Sequence, residues 1–396
     1  MSRRVLVAGV GMVPFAKPGK SEHYFEMGAK AIRAALEDAG LDYTAVQQAY
    51  AGYVYGDSTS GQRTIYTVGM TGIPIVNVNN NCASGSSALW LARQAVESGA
   101  ANCVLAVGFE QMRPGPLVAA WTDRPIPMSR HLEVLDRTYG HEPGKGSNAM
   151  QFFGAAGQEY IKRYGMAPET FAQISVKSRK HAANNPYSVF RDQVTVEQVL
   201  DSPALFGPLT RLQACPPTCG AAAAIVCSDE FARAHAIAPE VAIAAQTLTT
   251  DFANLFTDDD IFAVVGADIT RAAAAQVYEQ AGVDPLDIKV VELHDCFTVN
   301  EVLCYETLGL VEEGGAEKFI LAGDNTYGGR VVVNPSGGLL SKGHPLGATG
   351  LAQCAELTWQ IRGTADKRQV DDVTVALQHN LGLGGAGVIT LYEKVS

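Results

Sequence analysis

Residues 34–50, AALEDAGLDYTAVQQAY, and residues 276–292, QVYEQAGVDPLDIKVVE, share one pattern. Each reads as a helix ending at Ala-Gly, a short turn carrying Asp, and then an apolar strand. Gly40 and Gly282 fall where a helix C-cap needs a left-handed backbone, which costs glycine little. A second pair follows. Asn81-Cys82-Ala83-Ser84-Gly85-Ser86 opens a helix with apolar Leu89, Ala92 and Val96. His344-Pro345-Leu346-Gly347-Ala348-Thr349-Gly350 opens one with Cys354, Leu357 and Ile361. Both sets recur at i, i+3, i+7, one face of a helix. Apolar strands are expected after them, at Cys103–Val107 and Val373–Leu377. Strands alternating with helices predict an α/β chain with a mostly parallel sheet covered on both faces. Two such halves predict a duplicated fold about a pseudo-two-fold axis.

Between the halves, from about Arg113 to Cys215, the character changes. The segment begins RPGPLVAAWTDRPIPM and continues with helical stretches near 148–164 and 168–181. An insertion of this length is expected to be a lid or binding element. Between Arg113 and Arg191 it carries eleven Lys/Arg against six Asp/Glu, while the whole chain has a net charge of −11. A basic region on an acidic protein suits a small polyanion such as a nucleotide-bearing cofactor; a solvated helical surface would read the same way. The acidic balance argues against nucleic acid as a partner.

Hydrophobic residues make up 47% of the 396, enough for a large core, and eight cysteines are too sparse for a disulfide framework. Cys103, Cys227 and Cys354 sit in apolar surroundings, where a thiol behaves as a small hydrophobe. MSRRVLVAGVGM runs straight into a strand, no apolar run approaches the ~20 residues of a membrane span, and the last residues carry no peroxisomal tripeptide. A reducing, cytoplasmic setting is expected.

Cys82 is the leading candidate for chemistry. It stands at a helix entrance among small polar residues, where amide N–H groups and the helix dipole favour a thiolate. His344 occupies the equivalent turn of the second half, so a two-fold axis would bring a base to the thiol. His294, Asp295 and Cys296 follow the strand expected at 288–292. Cys296 could exchange a proton near the first thiol. A zinc reading of Cys296 and His294 lacks a second ligand pair, so no metal is expected. Cys215 and Cys219 are weak for the same reason. Ala8-Gly9-Val10-Gly11 lacks the third glycine of a dinucleotide fingerprint. Gly382–Gly387 is no Walker loop, but its glycines would let a main-chain N–H approach an oxyanion.

These residues resemble the thiolase superfamily, acetyl-CoA acetyltransferases among them, and within it the sterol-carrier-protein-type thiolases. The resemblance runs through GDSTSGQRTIY (56–66), NVNNNCASGSSAL (77–89), ELHDCF (292–297), GDNTYGG (323–329), NPSGGLLSKGHPLGATG (334–350) and QHNLGLGG (378–385). It implies a duplicated thiolase fold, two βαβαβαββ halves stacked as a five-layer α-β-α-β-α core with a long insertion. The expected division is 1–112 with 216–265 for the N-terminal half, 113–215 for the insertion over the substrate site, and 266–396 for the C-terminal half. It implies that Cys82 is acylated by a 3-oxoacyl-CoA as acetyl-CoA or propionyl-CoA leaves, and that His344 takes the thiol proton. Cys296 stands in for the acid/base cysteine of ordinary thiolases, whose place here falls at Leu381-Gly382-Leu383. His294 matches an Asn that orients an oxyanion-hole water in many thiolases, and the backbone amides of Cys82 and Gly385 would form a second oxyanion hole.

The resemblance further implies CoA and acyl-CoA as ligands, no permanently bound cofactor, and a homodimer or dimer of dimers. Its setting is fatty acid β-oxidation or sterol metabolism. Some relatives lack the nucleophilic cysteine and act as retro-aldolases on steroid side chains with a partner protein; retention of Cys82 argues against that here. Decarboxylative condensation by Cys82, His294 and His344, and non-catalytic binding of acyl-CoA or lipid, are the other readings.

Overall fold

A computed structural model of the chain describes residues 3–115, 117, 121 and 123–395. Parts of the Pro-rich stretch (residues 116, 118–120 and 122) lie outside the described residues. The first half contains β1 (Val5–Met12), α1 (Tyr24–Ala39), β2 (Gln48–Gly52), β3 (Ile75–Val78), α2 (Ser84–Glu97), β4 (Cys103–Glu110) and β5 (Gly220–Ser228). The insertion between β4 and β5 holds α3 (Asn148–Tyr164) and α4 (Pro168–Ala182), on the stretches read as helical. The second half contains β6 (Val241–Thr249), α5 (Ala267–Ala281), β7 (Val290–Glu292), α6 (Thr298–Thr307), β8 (Val332–Val333), α7 (Thr349–Arg362), β9 (Val375–Gly382) and β10 (Ala386–Lys394). Shorter helices join these elements.

The repeat is visible atom by atom at its punctuation. Helix α1 ends at Gly40 with φ 64°, and α5 ends at Gly282 with φ 66°. Two residues later an aspartate caps a single 3₁₀ turn: Asp42 Oδ1 accepts from Thr44 N at 2.9 Å, and Asp284 Oδ1 accepts from Leu286 N at 2.9 Å. Strands β2 and β7 follow.

Sheet order runs β3-β2-β4-β5-β1-β6-β10-β9-β7-β8. Numbered within its own half, each set of five has the order 3-2-4-5-1, and the two meet through their first strands. That junction is narrow, with Leu6 opposite Ala242 and Val7 opposite Val241. The sheet is mixed rather than mostly parallel, which corrects the expectation. Strand β2 runs parallel to β3 and β4, and β7 parallel to β8 and β9. The fifth strand of each half lies antiparallel to its neighbours. In the second half the reason is direct: Leu383, Gly384 and Gly385 join β9 to β10 as a hairpin, leaving no room for a crossover helix.

Burial follows the layers. Along β5, Ala221, Ala223, Ile225 and Cys227 pack with α1, whereas Ala222, Ala224 and Val226 pack with α2 and α7. Helix α5 covers the outer side of β6 and β10. Helices α2 and α7 therefore form a central layer between the two five-stranded halves of the sheet, with α1 and α5 outside. Glycine makes their close approach feasible. A Cβ on Gly108 would lie 2.0 Å from Gly347 O, and one on Gly350 would lie 2.5 Å from Ser86 N. The insertion packs over the second half, with the Phe153 ring 5.1 Å from that of Phe297 and Lys177 paired in the interior with Glu301.

Candidate active site

Cys82 sits in the turn between β3 and α2. Asn81 before it adopts φ 51°, an uncommon conformation for a residue with a side chain. Three bonds hold that turn. Asn81 N donates to Asn79 Oδ1 at 3.1 Å, Asn81 Nδ2 to Leu383 O at 3.0 Å, and Ser84 Oγ to Asn81 O at 2.6 Å. The second bond ties the nucleophile turn to the β9–β10 turn that carries Gly385, whose φ is 97°.

His344 follows a π-type turn (Gly338–Lys342) and Gly343 at φ 116°. Its Nδ1 lies 2.7 Å from Thr349 Oγ1, which itself donates to Pro345 O at 3.0 Å. With its one proton committed, the hydroxyl must accept from Nδ1–H, so His344 carries its proton there. Nε2 is left as a bare acceptor, buried and without a partner among the described residues. His294, beyond β7, stands at 5.0 Å and 86° to the His344 ring. Donor atoms of Cys82, His294 and His344 all lie within 4.8 Å of one another. Three residues separated by up to 262 positions thus meet in one place.

Cys296 is buried on the same loop as His294. Its backbone carbonyl accepts from Cys215 N at 2.8 Å. Burial lifts the Cys296 thiol well above its usual range, and charges on Cys215 and Cys82 add to the effect. The Cys215 thiol is lifted by burial and then by Cys82. Cys215 thus belongs to this neighbourhood, although its sequence context was weak. Asp295, between His294 and Cys296, turns the other way. It accepts from Leu339 N at 2.7 Å and Leu340 N at 3.4 Å, bracing the turn that leads to His344.

The thiolate expectation is reversed. Burial pushes the Cys82 thiol up to about 12, the Glu110 carboxylate adds to this, and the residue's own amide only partly offsets it. The amides of Ala83 and Ser84 are engaged by Asn80 O and Asn81 O, so they are not aimed at the sulfur. Burial also takes His344 down to about 3 and His294 well below the imidazole range. Thiol and imidazoles therefore rest neutral, and a proton moves only when charge can move on to a substrate.

Glu110 escaped the sequence reading. It ends the apolar strand β4 and accepts from Val54 N at 3.1 Å, Tyr55 N at 3.0 Å and Gly347 N at 3.1 Å, joining the two halves beside the thiol. Burial raises it to about 7 against those three bonds. A lone acid closing a run such as CVLAVGF was the available signal. Asn380 was missed too: its Nδ2 lies 3.0 Å from His294 Nδ1 and 3.2 Å from Cys82 O. The basic excess of the insertion is partly spent within the protein, since Arg137 pairs with Asp259, Arg163 with Glu159, and Lys177 with Glu301.

Residues 5–230 match the family description "Thiolase, N-terminal domain", and residues 256–391 match "Thiolase C-terminal domain-like". The chain belongs to the thiolase family. It is 53% identical to sterol carrier protein 2 of Gallus gallus over 99% of this chain and 72% of that one. To the acetyl-CoA acetyltransferase of Methanothermobacter thermautotrophicus it is 34% identical, over 99% and 100%. Among solved structures, the Ltp2-ChsH2(DUF35) aldolase superposes with a TM-score of 0.84 at 26% identity, covering 99% of this chain and 98% of that one. The thiolase fold and an acyltransferase class follow from this membership. Among the described residues, no helix is long and apolar enough to cross a membrane.

Proposed function

We propose that this thiolase cleaves 3-oxoacyl-CoA with CoA, or runs the reverse Claisen condensation, through an acyl-cysteine at Cys82. The observation that carries this reading is the meeting of the Cys82 thiol with ring nitrogens of two imidazoles within 4.8 Å, one of those rings, His344, keeping a buried Nε2 without a partner among the described residues. Cys82 Sγ attacks the 3-oxo carbon while His344 Nε2 takes its proton. His294 and the amides of Cys82 and Gly385 stand in for the oxyanion donors of the two half-reactions. The C2–C3 bond breaks, the acetyl-CoA or propionyl-CoA carbanion takes a proton from Cys296, and the acyl group stays on sulfur. The Cys296 thiolate so formed takes the proton of CoA, whose sulfur attacks that thioester; Cys82 leaves as a thiolate and recovers its proton from His344 as the shortened acyl-CoA departs.

In this reading CoA is a co-substrate. Residues 113–215 cover the substrate, and the division expected from the sequence, 1–112 with 216–265 against 266–396, shifts at one place. The strand order favours counting β6 with the second half. A homodimer in the cytoplasm, acting in fatty acid or sterol breakdown, completes the proposal. Intact mass after incubation with acyl-CoA tests it: an acyl adduct on the wild type that vanishes in Cys82→Ala is expected, and no adduct on the wild type refutes it.

A second reading, retro-aldol cleavage with a partner protein, draws on the likeness to the DUF35-bound aldolase. It requires no acyl-enzyme, so the same measurement separates the two.

A further inference from the structure

His294 lies within 4.8 Å of Cys82 and His344, and its Nδ1 is wired into the protein interior. Asn380 Nδ2 lies 3.2 Å from Cys82 O. A carbonyl oxygen only accepts, so the NH₂ end of the amide must face this way, and it meets His294 Nδ1 at 3.0 Å. The amide's other end, Oδ1, accepts from Ser86 Oγ at 2.8 Å. Ser86 Oγ in turn accepts from Gln378 Nε2 at 2.8 Å, and that amide is oriented by a second carbonyl, Gly350 O, at 2.7 Å. Tyr392 OH donates to Gln378 Oε1. Two carbonyls thus pin the direction of every bond in a chain whose members are all fully buried. With no water-accessible alternative, reversing one link would leave a buried donor facing a donor, a costly arrangement.

We propose that Ser86, Gln378 and Asn380 are positioning residues that hold His294 in the tautomer with its proton on Nε2, so that the ring presents an N–H donor to the reacting oxygen. The use of that donor rests on the thiolase reading; the tautomer does not. Thr349 sets His344 the opposite way, with Nε2 bare, so two neighbouring imidazoles are given complementary roles by different hydrogen-bond partners. The relay also explains why three donors within 4.8 Å are a poor metal-ligand set: His294 shows the pocket a proton rather than a lone pair. Ser86 lies on α2 and Gln378 and Asn380 on β9, so joining the halves and setting the tautomer are one act.

Long-range ¹H–¹⁵N spectra of the full-length protein labelled with [¹⁵N]histidine read this directly, with His294→Asn assigning the resonance among the eight histidines. In the wild type the proton is expected on Nε2; a proton on Nδ1 overturns the proposal without any variant. In Asn380→Asp the new carboxylate accepts from Nδ1–H, so the tautomer should invert. Turnover should then fall by about 10²–10³-fold, the usual loss for one oxyanion donor, while KM moves less than about threefold. Ser86→Ala, which removes the bond to Asn380 Oδ1 and leaves Cys82 O as the amide's one anchor, should admit a minor share of the other tautomer and a smaller fall; it carries the test if the aspartate variant does not fold. An unmoved tautomer with unchanged turnover in both variants overturns the relay. A normal acyl adduct with the proton on Nδ1 defeats the relay alone. A missing adduct with the proton on Nε2 defeats the thiolase reading and leaves the relay standing.

Discussion

The two turns that open α2 and α7 occupy equivalent places in the repeat, yet they are built from opposite materials. The first, Asn79 to Ala83, is held by amide and hydroxyl groups around Asn81 at φ 51°. The second, Gly337 to Pro345, rests on buried charge. Lys342 pairs with Glu292 at 3.2 Å with both side chains almost wholly excluded from water, and Asp295 accepts from two of its amides. Duplication delivers two facing helix entrances at no topological expense; what differs is how rigidly each is held and which proton each presents. The first offers an acid proton on sulfur. The second offers an imidazole nitrogen whose partner, Thr349, leaves it bare. Chemistry here is an asymmetry imposed on a symmetric frame.

The sharpest way to break that comparison is to empty one turn at a time. Cys82→Ala should remove acyl transfer altogether, by about 10⁴-fold or more, as loss of a nucleophile does. His344→Ala should cost about 10²–10⁴-fold, the range of a lost general base, while still accumulating a slow acyl adduct by mass. An adduct that forms at the wild-type rate without His344 would show that the second turn does not serve the first.

The stiffness of the second turn is tested next. Lys342→Met leaves Glu292 as an unpaired charge in the interior and should lower unfolding free energy by about 3–5 kcal/mol. The double variant Lys342→Met/Glu292→Leu should recover much of that loss in urea unfolding. If the single and double variants are equally unstable, the pair is not what braces the turn.

The legible part of this protein was the part written locally. Gly40 and Gly282, Asp42 and Asp284 announce helix ends and turns within a few residues, so the duplication and the placement of Cys82 opposite His344 followed from punctuation alone. Helices α3 and α4 were visible for the same reason. In the second half the sheet direction departs from the expectation because the glycine-rich run Gly382–Gly387, which also suits a close backbone approach, contains a hairpin. The thiol's acidity was misjudged because a helix entrance is visible in sequence and burial is not. Glu110 left only the faint mark of a lone acid closing an apolar strand and Asn380 left none, since their contacts across the halves lie 237 and 298 residues away along the chain. Cys215 joins the site through an irregular bridge to the Cys296 loop, with no periodic pattern to mark it.

The smallest expected effects come from Glu110, which ties Val54 and Tyr55 of the first half to Gly347 of the second. Its folded pKa of about 7 lies above the unfolded value near 4.5. The native state therefore holds a proton that the unfolded chain releases. Stability from this group is fully present below about pH 4.5 and is lost as pH rises through 7. At 1.36 kcal/mol per unit the loss between pH 5 and 8 is on the order of 2–3 kcal/mol, and urea unfolding of Glu110→Gln should show a flatter pH dependence over that window. The same substitution removes the negative charge that helps raise the Cys82 thiol. Burial is the larger cause, so the thiol's apparent pKa should fall only modestly, raising iodoacetamide alkylation at pH 8 by less than about tenfold, the equivalent of one pKa unit. An alkylation profile identical to that of the wild type would mean that Glu110 joins the two halves mechanically and leaves the sulfur's electrostatics to burial alone.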